Sequence, residues 1–397
     1  MNDAIPNDPT TTIRRIVAGI EERLIEIRRD IHAHPELAFE EVRTSDVLAS
    51  ELRRLGIPHE RGIGKTGIVG LIEGGRPGPV LAIRGDMDAL PMQEKTGLPF
   101  ASTIAGKMHA CGHDIHCTTL LGVASVLQQM APMLAGTIKL VFQPAEEVIG
   151  GMAAMIKDGL MDNPKIDLAL GYHNKPDMPA GQFGFVRGPA LAAADGFDII
   201  VNGRGGHAAY PNTTIDPLVA AAYLVTQLQT VVSREVNPRH PVVVTVASIQ
   251  GGTTYNIIPD SCALKGTVRT LHPSARDTAQ AAIERLCRGM HESMRVTCDV
   301  TYRRGVPSLK NDDRVLDPGV AAVRKQFGDE AISQGEANLG AEDFALMSEL
   351  VPTFHLWIGS SQPGRDDRLH NSDYQPDERC IGFGVQAVSR AALEILS

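Results

Sequence analysis

Apolar residues recur at helical spacing near both ends of the chain. Between residues 13 and 31 they lie three or four positions apart, which predicts one helix capped by Thr11 or Thr12. The same period continues from Pro376 to Ile395, and a proline at a helix start is favourable. These patterns predict helices that bury one face against a core.

Three apolar stretches in the first half are predicted to be strands, and each is followed by polar residues. Helices are predicted between them, so the strands are expected to belong to an open α/β sheet. In such sheets the ligand crevice lies at the carboxyl ends of the strands. The strands, each with the polar residues after it, are Val80–Arg84 with Asp86 and Asp88, Thr137–Phe142 with Glu146 and Glu147, and Ile166–Tyr172 with His173.

From about Arg187 the pattern changes to β-α-β-β-α-β, the order of a ferredoxin-like unit. A unit of this size is compact enough to be an inserted domain. The predicted fold class is therefore α/β. A main α/β domain with a mixed sheet comprises residues 1–186 and 304–397, and an inserted ferredoxin-like α+β domain comprises residues 187–303.

Composition narrows the classes of function. A chain of 397 residues is longer than one hydrophobic core normally accommodates. Its net charge of −9, with no offsetting basic stretch, argues against a nucleic-acid partner. No apolar run reaches the ~18 residues of a membrane span. The first ten residues are expected to be disordered, and the start of the chain lacks the features of a signal peptide, so a cytoplasmic location is expected. The six scattered cysteines are expected to be free thiols.

Cys111 and His113 offer a thiolate and an imidazole two residues apart, the ligand types that zinc and similar metals prefer. Gly112 permits the tight turn that points both side chains at one ion. Asp114 is expected to cap the helix that follows. The motif alone is weak, because a Cys-x-His pair more often has no metal role, so further ligands are required.

Those further ligands are His173, His370, and Glu146 or Glu147. Five ligands are too many for one tetrahedral ion but suit two ions that share a bridge, for which the Cys111 thiolate is the candidate. Of the two glutamates, one can bind metal while the other acts as a general base. Alternatively, the glutamate pair begins a helix and complements its dipole.

Asp86 and Asp88 follow the predicted strand Val80–Arg84 and could orient metal ligands through hydrogen bonds. For Asp88 an ordinary turn after a strand is an equally good interpretation.

Five motifs resemble the M20 metallopeptidase family, and within it the amidohydrolase branch of hippurate hydrolases, N-acyl-amino-acid amidohydrolases and auxin-conjugate hydrolases. The likeness extends over nearly the whole chain, and the motifs occur in the correct order. They are Arg84-Gly-Asp-Met-Asp-Ala-Leu90, His109-Ala-Cys-Gly-His-Asp114, Gln143-Pro-Ala-Glu-Glu147, Gly205-Gly-His-Ala-Ala209 and Gly340-Ala-Glu-Asp-Phe344.

The resemblance implies a role for each candidate residue. Glu146 would be the general base. His207 would stabilise the oxyanion, reaching the site of a partner subunit, while Asn256 and Arg269 would contact the substrate. The inserted domain would serve as a lid and dimerisation domain in a homodimer or dimer-based oligomer. The implied ligands of two divalent metal ions are Cys111, His113, Glu147, His173 and His370.

The implied reaction is metal-dependent hydrolysis of the amide bond of an N-acyl or N-aroyl, hippurate-like amino acid to a carboxylic acid and an amino acid. The peptidase branches carry His-x-Asp where this chain has Arg84-Gly85-Asp86. The metal is therefore left open among zinc, manganese, cobalt and nickel, as is the filling of both sites. The acyl group and the amino acid are also left open.

Three alternatives remain at this stage. A dipeptidase or carboxypeptidase on the same scaffold would need an acidic group for a substrate amine, for which Asp195 and Glu342 are candidates. An N-acetyl-diaminopimelate deacetylase would use the same chemistry. A non-catalytic protein with structural zinc is disfavoured, because closed structural sites use four ligands and leave no spare base.

Overall fold

The computed structural model describes residues 8–397, and the expectations for residues 1–7 lie outside that range. The described chain forms two compact units. Unit 1 comprises the described residues up to Gly188 together with 310–336 and 346–397, and unit 2 comprises 189–309 and 337–345. The division differs from the predicted domains because residues 187–188 belong to unit 1, whereas residues 304–309 and 337–345 belong to unit 2. Within that unit, the Ala192 N–H donates to the Gly340 carbonyl (2.8 Å).

Helices and strands occur in both units. The helices are α1 (Pro9–Ala18), α2 (Glu21–Ala33), α3 (Val42–Arg54), α4 (His113–Gln129), α5 (Gly151–Lys157), α6 (Pro217–Thr230), α7 (Pro273–Met294), α8 (Asp313–Phe327), α9 (Ala345–Ser348) and α10 (Arg379–Ile395). The strands are β1 (His59–Ile63), β2 (Gly67–Glu73), β3 (Arg76–Asp86), β4 (Ala135–Gln143), β5 (Leu168–Pro179), β6 (Phe183–Phe185), β7 (Gly188–Leu191), β8 (Ala193–Asn202), β9 (Gly206–His207), β10 (Val242–Gln250), β11 (Ile257–Ile258), β12 (Ser261–Thr270), β13 (Thr297–Arg304), β14 (Leu309–Asn311), β15 (Ile332–Gln334) and β16 (Thr353–Ser361).

Unit 1 is built on an eight-stranded mixed sheet in the order β1-β2-β4-β3-β5-β16-β6-β15. The central strands β4, β3, β5 and β16 are parallel to one another. Helix α4 is buried along its length and packs, with α2 and α10, into the main core. The predicted α/β fold with a mixed sheet is confirmed.

The N-terminal helical pattern corresponds to two helices rather than one. The chain leaves the helical conformation at Ile20, where the backbone φ is −122°. The cap is Asp8, whose carboxylate accepts the N–H groups of Thr10 and Thr11 (both 3.1 Å), so the prediction of Thr11 or Thr12 was wrong. The last helix begins at Arg379, three residues after Pro376.

Asp114 does not cap α4. The helix begins at His113 after Gly112, and no side chain caps it. The Asp114 carboxylate instead pairs with the Arg28 guanidinium (2.7 Å) and the His32 imidazole (2.8 Å), both from α2. Asp114 therefore links α4 to α2 through buried charges, which hydrogen bonds make tolerable.

Unit 2 contains a four-stranded antiparallel sheet in the order β10-β12-β8-β13. Helices α6 and α7 pack on it and share its apolar core. This is the predicted ferredoxin-like order of strands and helices. A short additional pair, β9 with β11, brings His207 opposite Ile257.

None of the helices within residues 8–397 combines the length and the apolar character needed to cross a membrane.

Candidate active site

The carboxyl ends of three neighbouring strands of unit 1 carry the predicted site residues. Asp86 at the end of β3 is in register with Gln143 at the end of β4, and Arg84 is in register with Gly171 of β5. His173 was expected to follow its strand but lies inside β5, because β5 continues alongside β16 to Pro179. His173 is still level with the end of β3, so the side chains converge at one edge.

The Cys111 loop approaches this edge closely, and Gly112 makes that approach possible. Gly112 has a φ of +89°, and a Cβ at this position would lie 2.3 Å from Oδ1 of Asn174. Both facts require glycine here. The turn places Sγ of Cys111 3.4 Å from Nε2 of His173.

His113 and Glu147 face each other at the same edge. Nε2 of His113 lies 3.8 Å from Oε1 of Glu147. Both atoms are buried, and neither has a hydrogen-bond partner within residues 8–397. Buried polar atoms are almost always satisfied, so this pair fits a bound cation that would accept electrons from both.

His370 reaches the cluster from the last loop of unit 1. Its N–H donates to the Ala110 carbonyl (2.8 Å), and its backbone adopts a φ of +60°, which is uncommon for a residue with a side chain. Nε2 of His370 then lies 3.4 Å from Oε1 of Glu147. The loop is therefore fixed to the Cys111 segment before any ligand binds.

These residues form overlapping sets that share Cys111. Cys111 groups with His113 and His173, and again with Glu147 and His370, with the potential ligand atoms of each set within 4.8 Å of one another. The potential ligand atoms of Glu146, His113 and Glu147 also lie within 4.8 Å of one another. A shared thiolate between two sets of ligands is the arrangement expected for two neighbouring divalent ions. We refer below to Cys111, His113, Glu147, His173 and His370 as the ligand cluster.

Hydrogen bonds set the tautomers of the two buried histidines. Nδ1–H of His173 donates to the Asn174 carbonyl (2.8 Å), and Nδ1–H of His113 donates to Oδ1 of Asp88 (3.2 Å). Each ring therefore presents the lone pair of Nε2 to the cluster, as metal-binding histidines do.

Charge and burial act in opposite directions on these groups. Burial raises the pKa of the Cys111 thiol well above its ordinary value and lowers the pKa of His173 well below it. Burial would also lower the pKa of His113, but the Asp86 carboxylate outweighs it and raises that pKa. A metal ion held by these groups would have to displace a proton from Cys111 and one from His113, so its affinity would be greater at higher pH.

His116, inside α4, supports the site through both of its ring nitrogens. Nδ1–H of His116 donates to Asp86 (2.6 Å), and its Nε2 accepts the Asn174 N–H (3.0 Å). Both ring nitrogens are thus used by protein groups. Its position one helical turn after His113 was the signal that it faces the same edge.

The predicted substrate residues lie in unit 2. His207 is exposed, and its Nδ1 accepts the Ala209 N–H (3.0 Å), so in the neutral ring the proton is on Nε2. The Asn256 carbonyl accepts the Ala208 N–H (3.0 Å), which brings Asn256 beside His207. Arg269 lies on β12, half-buried, and donates to the Thr267 hydroxyl.

A buried cluster of thiolate, imidazole and carboxylate at the carboxyl edge of an α/β sheet, with a further glutamate beside it, defines a metal-dependent hydrolase. Residues 82–394 match the model of the family described as Peptidase family M20/M25/M40. The chain belongs to this family, and the expected class of enzyme, a metal-dependent amidohydrolase, is confirmed.

Relatives and a solved structure cover nearly the whole chain. An N-acetylcysteine deacetylase of Bacillus subtilis is 37% identical, over 94% of this chain and 97% of its own. A thermostable carboxypeptidase of Saccharolobus solfataricus is 36% identical, over 98% of this chain and 99% of the relative's chain. The crystal structure of the Bacillus subtilis YXEP protein, described as a dinuclear metal-binding peptidase of the M20 family, superposes with a TM-score of 0.85 at 34% identity, covering 96% of this chain and 99% of that one.

Proposed function

We propose that the protein hydrolyses the amide bond of N-acyl or N-aroyl amino acids, giving a carboxylic acid and an amino acid. The observation that carries the proposal is the pair of ligand sets sharing Cys111, with the Glu146 carboxylate beside them. A structural metal site needs no such additional carboxylate. The name of the deacetylase relative supports an N-acyl substrate.

The ligand cluster would hold two divalent ions, which when bound would polarise the scissile carbonyl and make water a stronger nucleophile. Glu146 is proposed as the general base, because its carboxylate lies beside the ligand cluster, near His113 and Glu147, while Glu147 itself faces His113 and His370. Its carboxylate would take a proton from the attacking water and pass it to the nitrogen of the leaving amine. Asp86 would pair with His116 and Arg84 and so fix these two side chains at the edge of the sheet.

The three residues of unit 2 are proposed to act on the substrate. The Nε2–H of His207 is a suitable donor to a developing oxyanion, because its other ring nitrogen already accepts a backbone N–H. Arg269 has no ion-pair partner within the described chain and retains donors for a substrate carboxylate. Asn256, fixed beside His207 by a backbone hydrogen bond, is proposed to contact the substrate amide.

We also propose a homodimer or dimer-based oligomer formed through unit 2, with His207 acting in the site of the partner subunit. Val219 and Tyr223, one helical turn apart on α6, are exposed by 47% and 59%, and Tyr255 by 97%. Large apolar side chains exposed together are typical of an interface. Light scattering coupled to size-exclusion chromatography tests this, and a monomer at micromolar concentration would refute it.

A peptidase activity is the second candidate, favoured by the name of the carboxypeptidase relative. One group considered for recognising a substrate amine is already occupied. Asp195 accepts Nε–H of Arg276 (2.9 Å), the Tyr302 hydroxyl (2.8 Å) and the Gly305 N–H (3.1 Å). The other candidate, Glu342, accepts the Phe344 N–H (3.1 Å). The contacts of Asp195 therefore favour an acylated substrate over one with a free amine.

The test is release of amino acid from hippurate, acetyl-methionine, acetyl-cysteine, acetyl-diaminopimelate, an indoleacetyl-amino acid and Gly-Leu. The protein is first stripped with a chelator and then reconstituted separately with zinc, manganese, cobalt or nickel. We expect metal-dependent cleavage of N-acyl substrates and none of Gly-Leu. Cleavage of Gly-Leu alone would establish the peptidase instead, and the best metal would identify the cofactor.

A further inference from the structure

We propose that Asp88 and Glu41 are positioning residues that fix the backbone carrying Glu146 and Glu147. The inference rests on the proposed function, because it assumes that these two glutamates are the base and a metal ligand. It concerns two buried carboxylates that lie outside the ligand cluster and contact the turn after β4.

In the turn after β4, the three successive backbone N–H groups of residues 145–147 point to the inner side of the turn. Ala145 has a φ of +53°, so the chain reverses immediately before the two glutamates. The N–H of Glu146 donates to Oδ1 of Asp88 and the N–H of Glu147 donates to Oδ2, both at 3.0 Å. Successive N–H groups around one carboxylate form the concave anion-binding arrangement known as a nest.

Glu41 holds the preceding residue of the same turn. Its Oε1 accepts the Ala145 N–H (2.8 Å) and the Phe39 N–H (3.0 Å), and its Oε2 accepts the Thr66 hydroxyl (2.5 Å). The carboxylate is fully buried. The two carboxylates together therefore bind every N–H from Ala145 to Glu147, so the turn cannot rotate without breaking buried hydrogen bonds.

Asp88 also joins this turn to the ligand cluster. Its Oδ1 accepts Nδ1–H of His113 (3.2 Å) in addition to the Glu146 N–H. One carboxylate thus sets the orientation of a histidine ligand and the path of the backbone that carries the proposed base. Catalytic groups need placement to within ~0.5 Å, which packed and hydrogen-bonded supports provide.

The hydrogen-bond pattern makes opposite predictions for two similar substitutions. In Asp88→Asn only one side-chain oxygen remains to accept hydrogen bonds, whereas the two N–H donors lie opposite different oxygens of Asp88. The NH₂ group of the asparagine must therefore face the N–H of Glu147 or of Glu146, a contact between two donors. Glu41→Gln can keep its oxygen on the Ala145 and Phe39 N–H groups, because the Thr66 hydroxyl can turn to accept from the new amide. A purely electrostatic role for the two carboxylates would make the two substitutions equally harmful.

The experiment measures metal affinity and steady-state kinetics in the full-length protein. Zinc or cobalt is titrated into metal-free protein and followed by calorimetry and by fluorescence of Trp357, the single tryptophan, whose ring lies 5.9 Å from that of His173.

For Asp88→Asn we expect ~10–100-fold weaker metal binding. We also expect kcat for the best N-acyl substrate to fall by about 10²-fold or more with KM changed less. Glu41→Ala should lower kcat ~10-fold, and Glu41→Gln should restore it, on the same positioning argument.

Asp167→Asn is the matched control, because Asp167 also accepts a backbone N–H, that of Val80, but this N–H lies within β3 rather than in the turn that carries the glutamates. It should change neither metal affinity nor kcat. Metal affinity and kcat of wild-type magnitude in Asp88→Asn would overturn the proposal, as would equal losses in Glu41→Gln and Glu41→Ala. If Asp88→Asn does not fold, the Glu41 pair alone decides. If wild-type protein cleaves no substrate, the proposed function fails, while the metal titration still tests the positioning of His113 and Glu147.

Discussion

The two places where histidines are proposed to act differ in how firmly the fold holds them. In unit 1, His113 and His173 are buried, and each donates Nδ1–H to a fixed acceptor. In unit 2, His207 is exposed, and its ring is held by one hydrogen bond from the next turn of backbone. The first region is held in place by several buried hydrogen bonds within its own unit, whereas the His207 ring is held by a single exposed one.

This contrast predicts two kinds of mutational effect. Changes in the ligand cluster should alter metal content, stability and catalysis together, because the same hydrogen bonds serve all three. Changes at the exposed residues His207 and Asn256 should alter catalysis while leaving the unfolding temperature within about 1 °C, since exposed surface substitutions usually cost less than ~0.5 kcal/mol. The following predictions test that separation.

The largest effect is expected for Glu146→Gln, which keeps the shape of the side chain but cannot accept a proton. We expect kcat to fall by ~10²–10⁴-fold, the usual contribution of a general base. Metal content, measured by mass spectrometry, should stay near that of the wild type because the ligand cluster is unchanged. Full turnover in this variant would show that another group moves the proton.

A smaller loss is expected for His207→Ala. Removal of one oxyanion donor lowers kcat by about 10²–10³-fold in other enzymes, and we expect a loss in that range. Neither metal content nor thermal unfolding should change, because the ring makes no buried contact. If His207 acts in the partner's site, mixing His207→Ala with Glu146→Gln protomers should restore activity in the mixed dimers. An absence of restoration would indicate that His207 acts within its own chain.

Arg269→Lys should produce a smaller effect, confined to substrate binding. Lysine keeps the positive charge but lacks the forked geometry that binds a carboxylate through two hydrogen bonds. We expect KM to rise roughly 10-fold with kcat nearly constant. An N-acyl amino acid amide, which has no carboxylate, provides the control, because wild type and variant should hydrolyse it equally.

The same contrast explains how much of the site could be predicted from sequence. Polar residues after buried parallel strands must meet at one edge of the sheet, so the positions of Glu147 and His173 followed from local patterns. Their supports did not, because each depends on a distant segment. Asp114 was predicted to cap α4, and its actual partner, Arg28, comes from a helix that sequence periodicity could not place beside it.

Asp88 illustrates the same limit within the site. The sequence allowed two interpretations, an orienting group or an ordinary turn residue. Two of its three hydrogen bonds, those from the N–H groups of Glu146 and Glu147, depend on the reversal at Ala145. Ala145 has a side chain but adopts a conformation that favours glycine. Likewise, residues 337–345 join unit 2 through hydrogen bonds such as that from Asn338 N–H to the Ala190 carbonyl (2.9 Å), which no periodic pattern encodes.

A different kind of effect is expected on stability in unit 1 rather than on catalysis. Burial, with the charges of Arg84 and His116, lowers the pKa of His355 to about 3. An unfolded chain binds that proton near pH 6.5, so between pH 6.5 and about 3 the unfolded state holds more protons than the folded state. The free energy of unfolding should therefore fall as pH decreases, with His355 contributing up to ~1.4 kcal/mol per pH unit.

His355→Phe should remove that contribution while filling a similar volume. Urea unfolding of the metal-free protein between pH 7 and pH 4 can be followed by Trp357, whose ring lies 4.9 Å from that of His355. The variant should show a shallower decline than the wild type, although His109, whose pKa burial lowers to about 4, leaves part of the slope. Parallel curves for the two proteins would mean that His355 gains a proton in the folded state, and that this part of unit 1 is as open to water as the His207 segment of unit 2.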